Sequence, residues 1–431
     1  MQSFATRVKR HNPAKTNYKN APPQGDTMTE QTLPQQNTGL IKVLTCMMFF
    51  MFAMTTDAVG SIIPSLIDEF SLSLSAASAF HYVPMAAIAL GGIALGFLSD
   101  RYGRKSTIVL GLLLYGVGSL LFIFGNSFGF FVVLLGVSGL GVSVFKVGAL
   151  ALIGDFTHSQ QQHTATMNTV EGFFAVGAIV GPALVATLLA QGISWKYLYV
   201  AAAGICCLLT LAAVLVRYPV TVKTSEQPAS LRQTLGMMKN RYALGFSTLI
   251  MLYVAVEVAI YVWMPTWLEQ YTGSVPWLVT YALTIFFTLR AAGRFIGVWL
   301  LQRLAWDMVL AVMAAAILLC FAGSLAGGPA LGVWLLPLSG LFMSVMYPTL
   351  NSKGISCFPK AEHGAIAGLI LFFTAFAAAA GPLAMAAVSD GLGDIRYGFM
   401  LATVFAVMLC GGLVWNVVYK PAGPRLAAVD E

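Results

Sequence analysis

From Leu40 onward, apolar residues run for about twenty positions at a time between short polar breaks, almost to the end of the chain. A helix needs roughly 20 apolar residues to cross the hydrocarbon core of a bilayer. Twelve such runs are predicted to be spans, over 40–65, 78–99, 106–125, 128–153, 165–190, 195–217, 243–269, 276–301, 307–326, 330–352, 363–388 and 396–418. The longest internal polar stretch, Tyr218 to Tyr242, separates the sixth from the seventh. Six spans, a linker and six more are what a duplicated carrier bundle would produce. The expected fold class is therefore an all-α integral membrane protein, with twelve transmembrane helices in two six-helix bundles related by pseudo-twofold symmetry. The expected order is a disordered tail (1–39), a first bundle (40–217), a linker (218–242), a second bundle (243–419) and a tail (420–431).

Composition sharpens this picture. Of 431 residues 58% are hydrophobic and 10% charged, against about 25% charged in soluble proteins. The mean hydropathy of +0.80 and the 42 glycines fit helices in lipid. Disulfide modules, nucleic-acid binders and disordered chains are excluded, so the lipid bilayer is an expected partner and nucleic acid is not. The six cysteines lie in or beside apolar segments without metal-ligand spacing, which reads as buried thiols. No nucleophile elbow, zinc motif, dinucleotide fingerprint or phosphate loop occurs. No catalytic residue, metal or cofactor is expected, and an ATP-driven pump would need a nucleotide domain. The polar amino-terminal stretch, with Pro13, Pro22, Pro23 and Pro34, does not read as a secretory signal, and Met28 is a possible alternative start.

The 24 bases and 17 acids give a formal charge of +7, whose meaning depends on position. Nineteen bases fall on the two tails and one set of alternate connections, among them Arg101, Arg104, Lys105, Arg217, Arg303, Lys353 and Lys420. Only Lys196 and Arg396 fall on the opposite set, and Lys146, Arg290 and Arg294 lie inside spans. Because basic flanks stay on the cytoplasmic side, both termini are expected inside, and the charge reports topology. A bacterial plasma (inner) membrane is the expected location.

The junction of the second and third spans reads Gly96-Phe-Leu-Ser-Asp100-Arg101-Tyr-Gly103-Arg104-Lys105. It resembles the signature loop of the major facilitator superfamily. Gly96 lets helices approach, Gly103 permits a tight reversal, and Asp100, Arg101 and Arg104 can pair as a conformational latch. The related place after the eighth span, from Gly297 to Arg303, carries Gln302 where an acid would stand, so the second latch, with Arg294 and Arg303, is expected to be weaker.

Six ionisable groups lie within spans: Asp57, Lys146, Glu171, Glu257, Arg290 and Arg294. Each costs about 2.5–3.5 kcal/mol at a helix centre unless it finds a partner or a wet cavity. Proton coupling through Asp57, Glu171 or Glu257 is one reading, and static ion pairs between helices are the other.

Four segments narrow the resemblance: Val170-Glu171 to Ala178, Tyr253 to Pro265, Gly293 to Arg303 and Phe342 to Leu350. They are similar to the fucose-galactose-glucose:proton symporter branch. That resemblance implies alternating access and a hexose-like solute, in a carrier expected to act as a monomer. It implies cavity-facing hydrogen-bonding groups at Glu171 and Glu257, with Tyr261 and Trp263 offering aromatic faces to a sugar. Trp267 is equally readable as packing, and Asn168 and Asn351 are equally readable as interhelical hydrogen-bonding groups. Two departures stand out. The acid of the branch's fourth helix is replaced by Val144, with Lys146 two residues later, and the acid of its first helix is replaced by Gly60, with Asp57 nearly a turn earlier. The expected function is proton-coupled symport of a sugar-like solute. The alternatives are an organic-anion carrier using Lys146 and Arg290, and a non-transporting receptor on the same fold.

Overall fold

The computed structural model describes residues 38–95, 98–156, 160–218, 236–359 and 362–430. The tail before residue 38 and most of the expected linker lie outside the described residues. Among the described residues, eleven runs are long and apolar enough to span a membrane. They are α1 (Gly39–Phe70), α2 (Leu74–Gly92), α3 (Arg104–Phe124), α4 (Phe128–Ile153), α5 (Thr166–Ala190), α6 (Lys196–Leu215), α7 (Arg241–Leu268) and α8 (Pro276–Leu301), then a 51-residue run Trp306–Ser356, followed by α11 (Ala365–Leu392) and α12 (Ile395–Tyr419). The long run crosses twice. Gly328 adopts φ 61°, a left-handed conformation that glycine tolerates, and Pro329 follows it, so the chain reverses into α9 (306–327) and α10 (329–356). Twelve spans result, as the hydropathy pattern predicts. Beyond them Gly423–Asp430 forms a short helix where the sequence suggests a tail, and its Arg425 guanidinium lies 4.5 Å from the Tyr242 ring centroid.

The ends of the spans are set locally. Asn240 caps α7 by accepting the Tyr242 N–H at 2.9 Å, and Asp394 caps α12 by accepting the Arg396 N–H at 2.8 Å. Inside the spans almost every side chain is apolar all round, so packing is decided by shape. In the first bundle α3 packs on α4, α1 on α5, α2 on α4 and α3 on α6. The second bundle repeats this six spans on: α7 lies on α11, α8 on the α9–α10 run, and that run on α12.

α1 is broken. Its helical segments Thr38–Thr56 and Val59–Phe70 meet at Asp57 and Ala58. Pro64 lies within the second segment, where it offers no N–H to the Gly60 carbonyl.

The bundles meet along α1–α7, α2–α11 and α5–α8. On the side away from the basic loops this seam is tight. Gly60 sits so close to α7 that a Cβ would strike the Tyr261 carbonyl. Asp390 on α11 accepts the backbone N–H groups of Leu74 at 2.9 Å and Ser75 at 2.8 Å, at the start of α2. A carboxylate on a helix's first free N–H groups is a favourable contact, and this one ties one bundle to the other.

Candidate functional site

Beneath the tight seam lies a cavity of about 270 Å³. Three helices each offer it a stripe at helical spacing: Glu171, Phe174 and Ala178 on α5, Val254, Glu257 and Tyr261 on α7, and Phe287, Arg290 and Arg294 on α8. Tyr347 on α10 and Thr374 and Ala378 on α11 close the wall. Tyr347 and Thr374 face each other with hydroxyl oxygens 3.4 Å apart.

Glu257 and Arg290 form an ion pair through Oε1 and Nη2, linking α7 to α8. Their side chains are 8% and 22% exposed, so neither charge is fully hydrated and each depends on the other. One turn back on α7, the buried Tyr253 hydroxyl donates to the Met343 carbonyl at 2.9 Å and fixes that helix against α10. Arg294 stands one turn nearer the basic face than Arg290, with Glu171 and Glu257 within electrostatic reach.

The first bundle is arranged differently. Asp57 occupies the break in α1, within electrostatic reach of Arg290, Glu257 and Lys146. Lys146 rests its Nζ 5.1 Å from the Phe52 ring centroid and 5.6 Å from that of Phe49, contacts in which aromatic faces attract a cation. Glu171 and Asp57 are in its electrostatic reach, yet among the described residues it makes no contact ion pair.

Of the residues singled out by sequence, Glu171, Glu257, Tyr261, Arg290 and Arg294 come together in the cavity wall. Lys146, Asn168 and Asn351 are outside it. Trp263 is buried with its indole N–H donating to the Pro382 carbonyl at 3.1 Å, which leaves its face to the core and not to a sugar. Trp267 stacks on Phe399 at 4.4 Å and is likewise structural. Phe174, Phe287 and Thr374 were not singled out. The α5 and α8 phenylalanines could have been found by extending the charged residues' stripes by three positions.

On the basic face, Gly103 takes φ 84° and Arg104 reaches Asp155 Oδ2 from Nε at 2.8 Å and Ser99 Oγ from Nη1 at 2.8 Å. Asp155, just past the fourth apolar run, is a partner the sequence did not announce. Arg101 is exposed beside Tyr102, and Gly96 and the Asp100 side chain lie outside the described residues. In the second copy Arg303 lies 4.4 Å from the Trp299 ring centroid. Among the described residues no group of His, Cys, Asp or Glu is placed to hold a metal ion.

The family described as Major Facilitator Superfamily has a model that matches residues 45–382. The chain is 24% identical over 408 residues to a glucose/galactose transporter of Brucella abortus biovar 1 (strain 9-941), covering 91% of this chain and 98% of the relative. It is 24% identical over 357 residues to the L-fucose-proton symporter of Escherichia coli (strain K12), covering 72% and 78%. Among solved structures, a bacterial homologue of the human lysosomal transporter Spinster, inward-facing and unoccupied, superposes with a TM-score of 0.73 at 14% identity, covering 91% of this chain and 98% of that one. The Escherichia coli fucose:proton symporter superposes with a TM-score of 0.58 at 21% identity, covering 87% and 98%.

Proposed function

The chain belongs to the Major Facilitator Superfamily and is a secondary transporter, and from that premise we propose that it carries a neutral monosaccharide together with a proton. The observation that carries this reading is the Glu257–Arg290 pair in a cavity wall whose other charges, Glu171 and Arg294, are also of opposite sign, set among aromatic rings and small residues. A carboxylate and a guanidinium that neutralise each other still offer acceptor and donor positions to hydroxyl groups. Tyr261 and Phe287 supply faces for the C–H side of a sugar ring. The volume sits near the lower end for ligand pockets, roughly 300 Å³, and suits one ring. The names of the relatives, for glucose/galactose transport and for L-fucose–proton symport, support the same class of solute.

On the reading that basic flanks stay inside a bacterial plasma membrane, the loops of Arg104, Arg217 and Arg303 face the cytoplasm. The closed seam is then the outer gate, and the state described is inward-facing. Proton coupling falls to Asp57, with Lys146 in its electrostatic reach and Glu171 in reach of Lys146. Ionised, Asp57 competes with Glu257 for Arg290; protonated, it leaves Arg290 to Glu257 alone. A proton on Asp57 therefore changes the charge pattern that the solute meets.

An organic-anion carrier would need unmatched bases in the wall. Arg290 is matched by Glu257 and Lys146 stands outside, which leaves Arg294 with Glu171 in reach. Purified protein in proteoliposomes tests the choice. Glucose, galactose or fucose should drive counterflow and alkalinise the outer medium. Counterflow by carboxylated sugars alone, lost in Arg294→Gln, would replace the neutral-sugar reading with the anionic one.

A further inference from the structure

His81 is a buried titratable group that the scheme above leaves unused. It lies on α2 in the outer half of the seam with no exposed surface, and among the described residues neither ring nitrogen makes a well-formed hydrogen bond. Across the seam its ring meets the edge of Tyr261 on α7, with centroids 5.6 Å apart and planes at 68°, and it lies against the Ala378 carbonyl on α11. Tyr261 and Ala378 both line the solute cavity. On its other side the imidazole borders a small cavity of about 20 Å³ inside the first bundle, shared with Thr55, Thr56, Tyr115, Ser138 and Tyr199. The Ser138 and Tyr199 hydroxyls are also unpartnered. That space accommodates about one water molecule, with polar groups enough to hold it.

The groups that face His81 from each packed element decide what it can do. From α3, α6 and α7 they are the phenols of Tyr115, Tyr199 and Tyr261, and from α1 they are Thr55 and Thr56, with Asp57 the next residue along. From α4 comes Ser138, and from α11 the Ala378 backbone. No Lys, Arg, Asp or Glu lines the space. A neutral imidazole fits there, whereas an imidazolium would be buried in the closed seam without a counter-charge.

We propose that His81 is a proton-binding site of the outer gate, distinct from the cavity carboxylates, and that its protonation state decides whether Tyr261 can seat against α2. With the seam open, a ring nitrogen takes a proton from outer water. The proton returns to that water before the seam closes, so it is not carried across. External acid thus favours the open gate. Histidine suits the task because its unperturbed titration lies in the physiological range.

A second titrating group on the same side acts with the opposite sign. Partial burial, and then the neighbouring Asp68 charge, push Glu269 up to about 7. Its ionisation opposes Asp68 as pH rises, so alkali loosens the seam through Glu269 while acid loosens it through His81. The two are separable in one experiment without any solute, so the result does not depend on the sugar reading. Nitroxide side chains are placed at Asn126 and Gln270, exposed outer-loop positions on the two bundles, in the full chain carrying Glu269→Gln. Pulsed dipolar spectroscopy then reads the gate at pH 8 and pH 5.5. With His81 present, the long-distance population should grow at least about threefold on acidification, as expected where one state binds a proton more tightly than the other. His81→Phe, which keeps a ring against Tyr261, should remove that growth, and His81→Gln should do the same. Growth that persists in either folded variant, or none with His81 present, overturns the proposal. Should neither variant fold, the histidine ring shifts of the native chain decide. A ring titrating in step with the distance change supports the assignment, and the lack of one refutes it.

Discussion

The two bundles hold their intramembrane charges in opposite ways. In the second, Glu257 and Arg290 are in contact, and α7, which carries Glu257, is fastened by Tyr253 to Met343 and by Trp263 to Pro382. In the first, Lys146 lies against two phenylalanine rings with Asp57 and Glu171 only within reach, and Asp57 sits where the helix ladder is interrupted. A contact pair holds a fixed pattern of donors and acceptors, as a recognition wall must. Charges kept apart can gain or lose a proton without first breaking a bond, as a coupling site must. The same contrast recurs at the basic face. Arg104 is held by Asp155 and Ser99, while Arg303 lies over the Trp299 ring.

The comparison predicts the order of damage when each arrangement is broken. Glu257→Gln should do the most. Removing one member of a buried pair costs about 3–5 kcal/mol. Arg290 retains 22% exposure to soften this, so about 2 kcal/mol, or roughly 30-fold in transport rate, is expected. Initial uptake rates and thermal unfolding measure it, and damage no greater than that of Lys146→Met would erase the distinction between the bundles. Gly60→Val comes next. Overpacking the seam costs about 1–3 kcal/mol and falls on the state with the outer gate closed, so the outer distance should lengthen and transport slow by roughly tenfold.

Lys146→Met should separate coupling from recognition. Losing two cation–ring contacts removes about 1 kcal/mol, so solute exchange is expected within about threefold of the native rate, while the pH dependence of net uptake shifts. Unchanged pH dependence would remove Lys146 from the coupling group. At the basic face, Arg104→Lys keeps the charge but not the forked contact. It should lower stability by about 1–2 kcal/mol, against under about 0.5 kcal/mol for Arg303→Ala, read from thermal melts.

The last effect is a pH dependence at Glu269, which is exposed, so solvent screening discounts its size. Its carboxyl is raised from 4.5 to about 7 in the folded chain, which therefore binds the proton more tightly than the unfolded chain does. That contribution to stability is full below pH 4.5, declines as pH rises towards 7, and is flat above. Melting temperatures of Glu269→Gln should lack this decline while matching the native chain in acid.

Much of the fold was legible because a bilayer imposes length on apolar runs, and Gly328-Pro329 marked the one reversal without a polar break. The pairing of Glu257 with Arg290 was not legible, although both were conspicuous, because nothing in one helix states which neighbour it faces. The stripes of α5, α7 and α8 were half visible through their charged residues. Their apolar members were hidden, since in a span that is apolar on every side a cavity-facing phenylalanine looks like a lipid-facing one. Trp263 and Trp267 illustrate the converse: aromatic residues beside a functional glutamate, turned into the core by the Pro382 carbonyl and the Phe399 ring. His81 gave no signal at all, because its position depends on an approach between bundles that Gly60 permits.

The tie between Asp390 and α2 has a genetic consequence. On the α2 side its core is the N–H groups of Leu74 and Ser75, which every residue but proline supplies, with the Ser73 and Ser75 hydroxyls adding to them. Random substitution at 74 will leave the tie intact in nearly every variant and substitution at 75 will remove only its hydroxyl, whereas substitution at 390 will almost always sever it. A screen for carriers stuck open to the outside should therefore return position 390 often, and its backbone partners across the seam chiefly as prolines.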